Sequence, residues 1–311
     1  MKWIEISLTL EGELVEPVAD LLSRIAPGGV AVEAAHIEEN DLEGHPVGPV
    51  VVRAYLPQDI NLEERKRRAD EGLWHLGRIR PLPAPVYRAV KEEDWAEAWK
   101  AHYQPIPIGR RLLILPAWIP PQSPDRLPLI LDPGMAFGTG VHPTTQMMLA
   151  AIEDLLQPGQ TVADLGCGSG ILSIAAARLG ARRSLGLDID AQAVEIARQN
   201  VQRNGLADRV RVETGSVERL LEEVERGGQA FDLVLANILA PVLHDMLHRG
   251  LGQSVSPGGK LILSGILGHQ AESLAAEAGR LGLDPVGTRS HADWRTLVFE
   301  RQSPPAGEAT G

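Results

Sequence analysis

The sequence predicts an α/β protein in which a doubly wound, mostly parallel sheet fills the second half and a smaller α+β sandwich precedes it. Three observations lead there. From about residue 110, apolar strand-like runs alternate with amphipathic helical stretches, the pattern of a sheet covered by helices on both faces. Before residue 80 the order is instead strand, helix, strand, strand, helix. Between the two lies a proline cluster, Pro81, Pro83 and Pro85, which removes backbone donors and marks a boundary.

The elements follow in order. Residues 3–10 alternate large apolar with polar side chains, the period of a half-buried strand. A helix fits 15–26, where Val15, Val18, Leu21, Leu22 and Ile25 share one face. Strands are expected over 30–35 and 50–56, with a turn-rich stretch at 40–49 between them. A helix over 62–76 carries the charged run 63–68, which reads as a solvated face. This order suggests a ferredoxin-like sandwich. After the prolines, a short connector helix is expected over 92–103, with Trp95 and Trp99 one turn apart for packing. Further strands are expected over 111–116, 161–165, 184–188, 210–213, 231–236, 260–264 and 295–300. The intervening helices fit 144–156, 170–179, 191–204, 241–250 and 269–281. The domains are therefore 1–85, a linker 86–109, a catalytic domain 110–302 and a tail 303–311 that lacks apolar periodicity and reads as disordered.

At 311 residues the chain exceeds the ~250 to 300 at which one core stops growing, so two domains are expected. Hydrophobic residues at 44% and charged residues at 23% match ordinary globular proteins and exclude disordered and fibrous classes. A net charge of −11 argues against broad nucleic-acid binding and suits solubility, or a basic protein partner. The single cysteine, Cys167, and the absence of any long apolar run place the chain in the cytoplasm.

The chemistry centres on one turn. Strand 161–165 runs straight into Gly166, Gly168 and Gly170 before a helix, a turn where the backbone comes close to a ligand. The dinucleotide fingerprint needs a glycine at 171 and finds Ile171, which disfavours NAD and FAD. Strand 184–188 ends in Asp188, which parallel pairing places beside the loop as an acceptor for two ribose hydroxyls. Asp190 reads as a helix N-cap. Asp164 either faces the positive end of a cofactor or caps the glycine turn. His142 has no His or Cys neighbours at ligand spacing, so no metal is expected, and it precedes a helix that Thr144 would cap. Cys167 reads as a small packed residue rather than a nucleophile.

Four segments carry a family resemblance. They are Leu131 to Thr145, with Phe137, Gly138, Thr139 and Gly140 followed by Val141, His142 and Pro143; Asp164 to Gly170; Gly186 to Asp190; and Ala236-Asn237-Ile238-Leu239-Ala240. Together with Asp94 to Lys100 and Leu263 to Leu267, they resemble the signature series of the ribosomal protein L-eleven (L11) methyltransferases from Met1 to about Arg301. The resemblance implies a seven-stranded class I methyltransferase fold and S-adenosylmethionine as donor. Methylation of amino groups on the large-subunit protein L11 is implied as well, with an N-terminal domain that recognises it. It also implies cofactor contacts from Thr145, Gly166, Asp188 and Asn237, with Phe137 to Gly140 covering the site.

Methyl transfer from a sulfonium is an in-line displacement on an activated carbon, so the protein need only hold an unprotonated amine in line. Asn237, at a strand's carboxyl end, either orients that amine or binds the cofactor's amino-acid end. No general base stands out. Two other readings are a class I enzyme acting on a small molecule or on glutamine, and a non-enzymatic module. A separate N-terminal domain speaks against the small-molecule enzyme. Asp188 with an intact Asn237-Ile238-Leu239-Ala240 speaks against the non-enzymatic module.

Overall fold

A computed structural model describes residues 2–10, 12–26, 30–34, 50–91, 105–120, 125–131, 140 and 142–303. It forms two compact units, Met1–Pro143 and Thr144–Gly311. The stretch 40–49, the connector helix with Trp95 and Trp99, and the tail beyond 303 lie outside the described residues.

The first unit opens with β1 (Lys2–Leu10), α1 (Gly12–Ser23), β2 (Val30–Ala34), β3 (Val50–Pro57), α2 (Leu62–Ile79) and β4 (Val86–Lys91). The sheet order is β2-β3-β1-β4, with every neighbouring pair antiparallel. Alternation does what the sequence implies: Ile6, Leu8 and Leu10 on β1 are buried, as are Val50, Val52 and Ala54 on β3 and Val15, Val18 and Leu22 on α1. β4 was not expected, because it starts on the heels of the proline cluster and its outer positions are exposed. It completes the ferredoxin-like order and is tied to α2 by Tyr87, whose hydroxyl donates to Asp70 at 2.6 Å.

The same unit holds a second sheet of β5 (Ile106–Ile108), β6 (Leu112–Pro116) and β7 (Leu127–Leu131). Here the structure corrects the sequence reading: the strand expected over 111–116 does not join the large sheet. It pairs antiparallel with β5 and parallel with β7. All five β6 residues are buried, and a run buried on both faces looks alike in either setting.

The second unit comprises α3 (Pro143–Leu155), β8 (Thr161–Leu165), α4 (Ile171–Arg178), β9 (Arg183–Asp188), α5 (Ala191–Arg203), β10 (Val210–Thr214), α6 (Val217–Gly227), β11 (Phe231–Asn237), α7 (Ala240–His248), β12 (Val255–Leu267), α8 (Gly268–Arg280), β13 (Leu283–His291) and β14 (Trp294–Arg301). Its seven strands run β10-β9-β8-β11-β12-β14-β13, parallel except for β14, which is antiparallel to both neighbours. The seventh strand is β13, whose mostly exposed positions, Pro285 and Gly287 hide it in the sequence. Helix α6 was also missed. It is dominated by Glu and Arg, with Val217 and Leu220 as its buried anchors. Helix α3 begins at Pro143, so Thr144 lies within it rather than capping it.

The strand order reverses between β8 and β11, and in such sheets ligands bind beyond the carboxyl ends at that switch point. Below it lies a core that includes Leu165, Leu187, Val234, Leu243, Leu261, Leu263 and Phe299.

Candidate functional site

β8 ends at Leu165, and the chain turns through Gly166, Gly168 and Gly170 at φ values of +66°, +52° and +78°. L side chains rarely adopt that region, which is why the spacing of glycines was legible. Space demands them too. A Cβ on Gly166 would lie 2.7 Å from Ile238 Cδ1. The amides of Gly166 and Cys167 both donate to the Leu187 carbonyl, at 2.8 and 3.1 Å, and so bind the loop to the end of β9.

Asp188 closes the same end of β9. Its carboxylate accepts from the backbone N–H of Gly168 at 2.9 Å and of Asp190 at 3.0 Å, which fixes the orientation of a half-buried side chain. Beside it Ile189 is 80% exposed, an apolar surface next to a carboxylate. Asp190 caps α5 as expected, accepting from Gln192 N–H at 2.9 Å.

Asp164 is fully buried. Its Oδ2 accepts from Ser173 N–H at 3.1 Å and Ser173 Oγ at 2.8 Å, which caps the first turn of α4. Its Oδ1 is buried with no hydrogen-bond partner. Burial pushes its carboxyl up to about 7, against the pull of the two Ser173 hydrogen bonds, and the Asp188 charge adds to the rise. Burial likewise raises the Cys167 thiol well above its ordinary range, with the Asp164 and Asp188 charges adding to it, so it stays protonated and is no nucleophile.

Asn237 ends β11 and donates from Nδ2 to Thr145 Oγ1 on α3 across a long 3.4 Å. Thr145 is buried, Asn237 half-buried. In register with Asn237 on the next strand is Ser264, whose hydroxyl pairs with that of Thr296 at 2.7 Å.

Of the residues expected from the sequence, Asp164, Gly166, Gly168 and Asp188 therefore cluster at the ends of β8 and β9, and Asn237 and Thr145 meet at the end of β11. Gly140 is buried at φ +85° in the first unit, and Phe137, Gly138 and Thr139 lie outside the described residues. Sequence reasoning missed Ser173, Ile238 and Asn200, whose fully buried amide donates to the Ser169 carbonyl at 3.0 Å. Ser173 was findable, since it sits at the third helical position after the glycine turn, where capping partners are placed. Ile238 stands in a signature segment, but nothing local shows that it packs against Gly166, and Asn200 leaves no local signal.

These groups fit S-adenosylmethionine. An orphaned buried carboxylate oxygen matches a cationic amino-acid end, a held carboxylate at a strand end matches ribose hydroxyls, and the glycine-rich turn between them, at positive φ, is the kind where the backbone comes close to a ligand.

Residues 2–302 match the family model described as ribosomal protein L11 methyltransferase. A protein of that name from Chloroflexus aurantiacus is 40% identical over 330 residues, covering 96% of this chain and 98% of the relative. One from Herpetosiphon aurantiacus is 39% identical, covering 98% of this chain and 100% of the relative. The solved structure of ribosomal protein L11 methylase from Lactobacillus delbrueckii subsp. bulgaricus superposes with a TM-score of 0.57 at 33% identity, over 65% of this chain and 100% of that one. With the seven-stranded sheet, the glycine turn and the strand-end Asp188 already in place, this near-complete match shows that the chain belongs to the ribosomal protein L11 methyltransferase family.

Proposed function

We propose that this protein transfers methyl groups from S-adenosylmethionine to amino groups of ribosomal protein L11, on lysine side chains and/or the N-terminal amine. The observation that carries the reading is the place of Asn237: at the switch point, one residue beyond the last β11–β8 pair, Ala236 with Leu165, with its amide nitrogen already donating to Thr145.

When bound, the cofactor supplies a methyl group on a sulfonium, a carbon already activated for displacement. The protein's own residues then bind and align. Asp188 accepts from the ribose hydroxyls, and the orphaned Oδ1 of Asp164 accepts from the cationic amino-acid end. With Asn237 Nδ2 engaged by Thr145, Oδ1 is left as the acceptor for an N–H of the incoming amine, which holds its lone pair in line. Among the described residues no group beside Asn237 is placed as a general base, and in this reading water takes the proton of the amine before attack. The N-terminal domain, which β4 extends from the expected 85 to Lys91, recognises the ribosomal protein, the stretch after it links, and 110–302 carry the chemistry. The protein acts in the cytoplasm as a monomer on L11, free or on the ribosome. Among the described residues no helix is long and apolar enough to cross a membrane.

The test is incubation of purified protein with isotope-labelled cofactor and either purified L11 or a metabolite pool, read by mass spectrometry. Label on L11 amines supports the reading; label confined to a metabolite, or no turnover, removes it.

A further inference from the structure

The pairing of β12 with β14 slips between Leu263 and Ile266, so that Ser264 and Gly265 together oppose Thr296. This is a β-bulge, and bulges re-aim the chain next to functional sites. Gly265 sits at φ +80°, and a Cβ there would lie 2.5 Å from the Ile238 carbonyl oxygen and 2.8 Å from its carbon. These are backbone atoms, which cannot swing aside. The other bulge residue grips the same segment: Ile238 N–H donates to the Ser264 carbonyl at 3.1 Å. Ser264 is itself held by the Thr296 hydroxyl at 2.7 Å. On the other side the Ile238 side chain, packed against the core, comes within 2.7 Å of where a Gly166 Cβ would stand. One residue thus bridges two glycines. It touches the cofactor turn with its side chain and the bulge with its backbone, and it directly follows Asn237.

We propose that the Ser264–Gly265 bulge and Ile238 form a spacer that fixes the distance between the glycine turn and Asn237, which makes Gly265 and Ile238 positioning residues for methyl transfer. The proposal rests on the reading that Asn237 orients the amine. Because reacting groups must meet within a few tenths of an ångström, a displacement near 1 Å costs about a hundredfold in rate. A Cβ at Gly265 forces a displacement of that order on the segment carrying Asn237.

The test compares Gly265→Ala and Gly265→Asn with Asn237→Ala in the full chain, measuring kcat, KM for L11, cofactor affinity and melting temperature. Asparagine tolerates the left-handed region better than alanine but carries the same Cβ. The spacer predicts that both Gly265 variants lose kcat about a hundredfold, with cofactor affinity falling much less. An asparagine variant with wild-type kcat would overturn it, because backbone strain alone would then explain the glycine. If neither Gly265 variant folds, Ile238→Val decides, since it removes only the methyl nearest Gly166. A fall in kcat of fivefold or more in a folded protein is expected, and unchanged kcat overturns the proposal. Loss on Asn237→Ala with full activity in the Gly265 and Ile238 variants sinks the spacer alone. Full activity in Asn237→Ala sinks the underlying reading instead.

Discussion

Asp188 accepts two backbone hydrogen bonds before any ligand arrives, so its remaining lone pairs are aimed rather than free. A charge-assisted pair of ribose hydrogen bonds contributes on the order of 1.5 to 3 kcal/mol. Asp188→Ala should therefore weaken S-adenosylmethionine binding at least about tenfold by calorimetric titration, and unchanged affinity in a folded variant would remove Asp188 from the site. Asn237→Ala should cut turnover about a hundredfold or more. A variant that loses binding and turnover equally would assign Asn237 to cofactor anchoring instead. Asp164 brings pH into play. Its folded pKa of about 7 lies above the unfolded carboxylate value, so the folded state binds the extra proton. Its contribution to stability is accordingly greatest below about pH 4 and is lost as pH rises through about 7. The cofactor's cationic end favours the ionised form, so affinity should rise about tenfold between pH 5.5 and 7. Asp164→Asn should flatten that dependence, and a wild-type affinity independent of pH over this range would refute the placement. At this scale the sequence showed Gly166, Gly168, Asp188 and Asn237, because each stands at a strand end in a local pattern. Ser264 and Ile238 stand in the quoted signature segments, but their roles were not legible, because they arise from contacts with Thr296, Gly166 and Gly265, which are distant in the sequence.

Among the elements, those with a clean period were legible. β8 matches its expected span at both ends, since 161–165 is an apolar run stopped by glycine. Two edge strands were not, although the edge strands β2 and β10 were. β4 and β13 are exposed along most of their length and carry no burial signal, and β6 carries a burial signal that does not say which sheet it joins. α6 escaped for a third reason, because its Glu and Arg residues dilute the apolar stripe. Those charges form a network: Arg219 reaches Glu213 at 2.7 Å and Glu223 at 3.3 Å, and Arg211 reaches Glu223 at 2.7 Å. Glu223 is the shared acceptor, with its carboxylate held below the usual range by Arg211 and Arg219 despite the opposing effect of its burial. Glu223→Gln should lower stability by about 1 kcal/mol at low salt and by less in molar salt, since partly exposed ion pairs are screened. A salt-independent loss in thermal melting would point to packing instead.

For the whole molecule, the division of labour is open to a direct cut. β4 belongs to the four-stranded sheet, so a shortened chain must begin after Lys91 rather than at 86, where the linker was expected to start, or it leaves one strand of that sheet without its partners. A chain starting at Glu92 should bind S-adenosylmethionine within about threefold of the full protein and lose most L11 methylation, a binding contribution held in a separate domain. Equal methylation rates for the two chains would remove the recognition role of residues 1–91, and a marked fall in melting temperature would assign the N-terminal domain a stabilising one. Following the reaction in real time needs a reporter, and the glycine turn makes one easy to install. Its Cys167 is the chain's only thiol, is buried, and is held protonated by burial and two neighbouring carboxyls. A single cysteine introduced at an exposed position such as Gln302 would therefore be the sole group to take up a maleimide dye or spin label at neutral pH, giving site-pure fluorescence or distance measurements without first deleting a native residue.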